Sequence, residues 1–296
     1  MDKQTKALIL NALKIFISIV LVIASTVSLL GATLIGVARD YLQSEEFHNQ
    51  IDTANLGIVK FTVDGQKVSV NEYAQNKVGE YLQENMPSLL PIGNWILEKI
   101  IPMDLINKTV KKEVYYLVDY FLNSSVKEAE HRIENNITIS NNEEFNPENA
   151  NGLEETLSIY ARAFVLQGIE NVSGFSTDKL IVLVSEQTVK KLISIAVVML
   201  IVLVIVNLKT IFNNLLYGGA IGLLYGIVIK IAQNKFDEIN AGMEDLVGYV
   251  FLKPLADAYS SNATTGIIVG IILIVLFIGV YLLFKNFVNK NQEENQ

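Results

Sequence analysis

The chain has 296 residues, 51% of them hydrophobic and only 18% charged, with a formal net charge of −8. Soluble domains carry about 25% charged residues, so this balance points to the membrane, and the net negative charge disfavours nucleic-acid partners, whose phosphates need clustered Lys and Arg. Cysteine is absent, which removes disulfides, thiolate metal sites and cysteine nucleophiles.

Residues 1–14 form a short tail carrying Lys3, Lys6 and Lys14. Residues 15–38 follow without a charge, and 14 of these 24 are Leu, Ile, Val or Phe. About 20 apolar residues cross a bilayer core. Each large aliphatic residue contributes roughly −0.3 to −0.6 kcal/mol near the bilayer centre, so insertion is favoured. A cleaved signal peptide would show a shorter apolar stretch of about 7–15 residues and an A-x-A-like site. The run is too long and "LIGVARD" is a poor site, so it reads as an uncleaved first transmembrane anchor.

Residues 39–191 are enough to bury a core of their own. "VKFTVDGQKVSV" alternates around Asp64-Gly65, a hairpin signal with a two-residue turn. A helix is predicted from Asn71 to Asn85, stopped by Pro87. In "MDLINKTVKKEVYYLVDYFLN" the apolar positions Ile106, Val110, Val114, Leu117 and Phe121 recur at helical spacing, with Asp104 as N-cap. Residues 140–152 are polar and turn-rich, hence a loop. A further helix is predicted from Leu153 to Gln167. "KLIVLVSEQTVKK" fits either a strand or a helix feeding the next span.

The second span is predicted at 192–208, flanked by Lys190 and Lys191, which extend it by snorkelling. The third is predicted at 210–231, so the two meet at "NLKT" (207–210) and form a tight antiparallel hairpin. The connection 232–265 has helical spacing at Phe236, Ile239, Met243, Leu246 and Val250, which predicts an amphipathic helix either at the outer membrane surface or packed under the domain; lacking the Lys- and Arg-rich face of anionic-lipid binders, it is expected to dock on protein. The fourth span is predicted at 266–284, and 285–296 is a second short tail. The fold class is therefore mainly α: an integral membrane four-helix bundle with a mostly helical extracytoplasmic domain carrying a small β-hairpin.

Lys and Arg near the span ends set orientation. Lys3, Lys6 and Lys14 precede the first span, "RDYLQSEEF" follows it, and Lys285 and Lys290 follow the last. Both termini are thus expected in the cytoplasm of a multi-pass plasma-membrane protein, although Lys190 and Lys191 oppose this locally. Five N-x-S/T sequons, at Asn107, Asn123, Asn136, Asn171 and Asn262, then fall outside and matter only in a glycosylating host.

"YGGAIGLLYG" places Gly218, Gly222 and Gly226 on one helix face. Small residues let helices approach closely in lipid. The first span offers a matching row, Ala24, Ser28, Ala32 and Gly36, and the fourth offers Gly266 and Gly270. The expected use is packing of the third span on the first, with oligomerisation around a pore as the competing use. The spans contain no Asp, Glu, Arg or His and no proline, which argues against ion-coupled transport.

Glu128, His131 and Glu134 share i, i+3 spacing, but one histidine without a second ligand set reads as a solvated face, so no metal is expected. Glu143 and Glu144 sit in the polar loop, where the sequence offers nothing to hold either side chain as an acid pair. Trp95, between two prolines, reads as a core or interface residue. Neither G-x-S-x-G, a P-loop nor a dinucleotide fingerprint occurs. No catalytic residue and no cofactor is expected.

In "IPMDLINKTVKKEVYYLVDYFLN", "LKTIFNNLLYGGAIGL" and "FLKPLADAYSSNATTGIIVGIILIV" the chain resembles uncharacterised prokaryotic four-span membrane proteins with a large extracytoplasmic domain between spans one and two. The resemblance is one of layout. It implies a prokaryotic envelope location and supplies no activity. The leading expectation is a non-enzymatic membrane protein whose outer domain binds a protein partner or organises the envelope. The alternative is an oligomeric passive channel with the third span near the pore axis.

Overall fold

The computed structural model describes residues 3–56, 60–63, 66–85, 103–135, 153–242 and 253–293. Two compact units are formed. One comprises residues 1–38, 186–241 and 252–296, and the other residues 39–185 and 242–251.

The first unit contains four helices long and apolar enough to cross a membrane. They are α1 (Lys3–Leu42, of which residues 3–38 belong here), α8 (Glu186–Val206), α9 (Asn213–Gly242) and α10 (Lys253–Glu293). Leu21 and Val22 of α1, Leu203 of α8 and Ile221 of α9 form one buried cluster. Ile229 of α9 with Tyr259 and Ala263 of α10 forms another, against Leu30, Leu34 and Val37 of α1. Helix α1 therefore touches each of the other three.

Polar side chains fix the register of these contacts. Asn207 Nδ2 donates to Ser18 Oγ at 3.0 Å, both residues being fully buried. Tyr225 Oη donates to Thr33 Oγ1 at 3.0 Å, and Tyr259 Oη to the Leu34 carbonyl at 2.7 Å. Such interhelical bonds contribute about 0.6 kcal/mol each, up to roughly 2, in membrane proteins.

These helices are longer than their apolar runs. Helix α8 begins at Glu186, where the Glu186–Lys190 pair supports an exposed polar turn. It ends at Val206 and not at 208, because the Asn207 side chain bonds back to the Leu203 carbonyl and a 3₁₀ turn, Leu208–Thr210, follows. The connection 232–265, expected as a helix of its own, is described only at its two ends. Residues 232–242 continue α9 and residues 253–265 open α10, while Met243, Leu246 and Val250 lie outside the described residues. A polar helical turn lowers hydropathy without stopping a helix.

The second unit begins with α2 (Glu45–Thr53), whose N-cap Ser44 accepts the Phe47 amide at 3.2 Å. Strands β1 (Lys60–Val63) and β2 (Gln66–Ser69) pair antiparallel, with Lys60 opposite Ser69 and Val63 opposite Gln66. The turn pair Asp64-Gly65 lies outside the described residues. Ser69 then opens α3 (Val70–Asn85) through a capping box: Glu72 N donates to Ser69 Oγ and Ser69 N to Glu72 Oε2.

Helices α4 (Met103–Asn123), α5 (Val126–Glu134), α6 (Leu153–Ser173) and α7 (Thr177–Val184) complete the unit. Helix α4 packs on α6, and α5 on α7. Asp104 is not the N-cap expected of it: the helix already includes Met103, so this carboxylate sits in the first turn and meets the helix dipole. Helix α6 runs past Gln167 to Ser173, where Gly174 adopts φ +70° and donates its amide to the Glu170 carbonyl at 2.8 Å. That left-handed closure favours glycine. The "KLIVLVSEQTVKK" segment is helical on both sides of Ser185. Pro87, Trp95, Asn136 and the 140–152 loop, with Glu143 and Glu144, lie outside the described residues.

Two ion pairs lock the second unit. Arg162 Nε of α6 donates to Glu113 Oε2 of α4 at 2.7 Å, with the Glu113 side chain 1% exposed and the guanidinium 3.9 Å from the Tyr116 ring centre. Arg132 of α5 reaches Asp178 Oδ1 of α7 at 2.8 Å. A carboxylate buried this deeply is tolerated only when paired.

Candidate functional site

Two places carry more information than packing of a generic core requires. The first is the seam between α9 and α10. A Cβ added at Gly222 would lie 3.0 Å from the Gly266 carbonyl oxygen and 3.0 Å from Gly270 Cα. At Gly226 it would lie 2.7 Å from the Ala263 oxygen, and at Gly219 2.9 Å from the Gly270 oxygen. At Gly270 it would meet Leu223 N at 2.6 Å, and at Gly266 the Tyr225 ring at 2.5 Å. Backbone thus lies on backbone, antiparallel, over two helical turns.

This corrects the expected partner. The glycine face packs on the fourth apolar helix and not on the first. The row is also displaced: Gly219, Gly222 and Gly226 form it, whereas Gly218 meets only Leu273 Cδ1, at an ordinary 3.4 Å. On α1, Ser28 and Ala32 are buried, Ala24 is half-buried, and Gly36 has nothing within 4 Å of an added Cβ. The signal that finds Gly219 is i, i+3, i+7 spacing, which follows a helix stripe better than a strict period of four.

The second place is an open depression in the second unit, between α2 and α4, of about 630 Å³. Ile106, Val110, Val114 and Leu117 turn one stripe of α4 into the core. The other face thereby presents Asp104, Asn107, Lys108, Lys111, Lys112 and Tyr115, which line the depression with Asp52 of α2. Helix α2 is held there because Phe47 and Ile51 are fully buried.

Polar contacts set the walls. Tyr115 Oη donates to Asp52 Oδ1 at 2.8 Å, with the His48 carbonyl at 3.0 Å as a second acceptor. The His48 and Tyr115 rings stack at 5.1 Å and 16°. Asn107 Nδ2 donates to Asn55 Oδ1 at 2.8 Å. Lys111 Nζ reaches the Asp52 carbonyl, capping the C-terminal end of α2. Desolvation and then the Asp52 carboxylate push the Tyr115 hydroxyl up to about 12, so it remains a proton donor across the physiological range. Lys108 and Lys112 are exposed. Among the described residues, none of the three lysines pairs with a carboxylate.

Glu128, His131 and Glu134 stand exposed along α5. Among the described residues, no group of three or more His, Asp or Glu side chains is gathered as a metal site. Sequence reading passed over the lysines of "NKTVKK", although their i, i+3, i+4 spacing places them together on the polar face of a recognised helix.

No protein-family model, no curated protein and no solved structure matches the chain.

Proposed function

We propose that the chain is a non-enzymatic, multi-pass plasma-membrane protein of the cell envelope. Its four apolar helices form a membrane-embedded bundle, both termini lie in the cytoplasm, and the unit of residues 39–185 faces outward as a binding module. One observation carries the membrane part of this reading. The exposed large apolar side chains of the described residues lie in the first unit, apart from Phe175 and Leu183. No more than 22% of any of the four apolar windows is buried. Water does not tolerate contiguous apolar surface on this scale, whereas lipid solvates it. Orientation rests on the lysines before α1 and after the last apolar run.

The channel alternative took its support from a free glycine face. That face is occupied within one chain, by α10. The binding role rests on the α2–α4 depression, whose polar side chains face solvent while the apolar side of α4 is satisfied internally. Native mass in mild detergent tests the choice. A monomer or dimer is expected; a discrete ring of four or more copies would restore the channel. Alkaline carbonate washing of membranes tests the bundle, since an integral protein stays in the pellet and a peripheral one is released.

A further inference from the structure

We infer that the depression between α2 and α4 binds a phosphate group, with Lys108 and Lys112 as its principal contacts and Lys111 as the fixed wall between them. This deepens the binding role proposed above and rests on it. Three cations share one turn of α4, at i, i+3 and i+4, and their mutual repulsion is relieved by no intramolecular ion pair among the described residues. The surrounding unit is strongly acidic, with 12 Lys and Arg against 24 Asp and Glu over residues 39–185 and 242–251. Carboxylates are therefore plentiful, yet Asp52 accepts from the Tyr115 hydroxyl, and Lys111 bonds a backbone carbonyl. The lining carries three positive and two negative side chains, Asp52 and Asp104 being the latter.

The residue types select among anions. Forked, bidentate recognition of a carboxylate is arginine chemistry. Arg132 and Arg162 are held by Asp178 and Glu113, and Arg39 donates to the Val184 carbonyl. What remains for a ligand is a set of ammonium groups, compact charges that suit a phosphate with its several acceptor oxygens. The phosphate could belong to a soluble ester or to a lipid headgroup, and the chemistry of the site is the same for both.

The test uses the full-length protein in phosphatidylcholine nanodiscs. Inorganic phosphate is titrated by phosphorus NMR, and co-sedimentation is measured with phosphatidylcholine vesicles with and without phosphatidic acid. Lys108→Gln/Lys112→Gln is compared with Lys127→Gln/Lys179→Gln, which removes the same charge from exposed positions on α5 and α7. Saturable binding by wild type and the control pair, weakened about tenfold or more in the α4 pair, is expected. It should also weaken with added salt, as exposed charge contacts do. Binding of free phosphate would identify a soluble ester as sufficient, and binding only to phosphatidic acid vesicles a headgroup. No binding of either probe, or equal binding by both variants, overturns the inference. Circular dichroism of the variants separates loss of binding from loss of fold. Release of the protein by carbonate would instead defeat the membrane reading and leave the phosphate result standing.

Discussion

Replacing Gly226 by alanine isolates the α9–α10 seam. The new Cβ would sit 2.7 Å from the Ala263 oxygen, 2.8 Å from Ile267 N and 2.6 Å from Ile267 Cγ1. The side-chain carbon can rotate away, but the two backbone atoms cannot. Restoring an ordinary 3.4 Å contact to that oxygen requires the helices to part by about 0.7 Å, and the dispersion contacts of the seam fall off over that distance. Overpacking of this kind costs about 1–3 kcal/mol, and the helix-propensity gain of alanine over glycine returns up to about 1 kcal/mol. A net loss of up to about 2 kcal/mol is expected. Gly36→Ala and Gly279→Ala provide the contrast, because an added Cβ there meets nothing within 4 Å. These should be neutral or slightly stabilising. Reversible unfolding in mixed micelles, followed by circular dichroism against detergent composition, reads all three. Equal effects at 226, 36 and 279 would refute the seam as the reason for the glycines.

Gly222→Leu should lower stability in the same assay while leaving the native mass unchanged, because its neighbours belong to the same chain; altered assembly would place the face between copies. Glu113→Ala should destabilise the second unit by about 3–5 kcal/mol in thermal melts, since it strands a mostly buried guanidinium, and Glu113→Leu with Arg162→Met should recover most of that loss. Ser44→Ala should cost about 1 kcal/mol through the lost N-cap of α2. Tyr115 is raised from 10.0 to about 12, so the folded state holds its proton more tightly than the unfolded chain. Its contribution is complete below pH 10 and lost as pH climbs towards 12, and alkaline unfolding of wild type and Tyr115→Phe should converge across that window.

The apolar runs were legible because lipid dictates composition directly: Ile15–Ala38 and Gly266–Phe284 can be counted without knowing any contact. Their ends were not, since α8 and α10 continue as helix through charged turns that hydropathy treats as boundaries. The β-hairpin strands and the stripe Ile106–Val110–Val114–Leu117 followed from local periodicity. Pairings distant in sequence did not. The choice of α10 over α1 as glycine partner depends on tertiary packing, and Gly219 differs from Gly218 only by a 100° turn of the helix. Glu113 left one trace, a carboxylate three residues after Val110 and four before Leu117, inside the buried stripe. Its partner Arg162, 49 residues on, left none.

Sidedness tests the central claim most directly. Because the chain has no cysteine, single substitutions Lys6→Cys, Lys127→Cys and Lys285→Cys each supply one thiol. Intact cells expressing each full-length variant are treated with a membrane-impermeant maleimide, before and after permeabilisation. Position 127 should label in intact cells, and positions 6 and 285 only after permeabilisation. Labelling of 6 or 285 in intact cells, or failure of 127 to label there, would contradict a bundle that holds residues 39–185 outside.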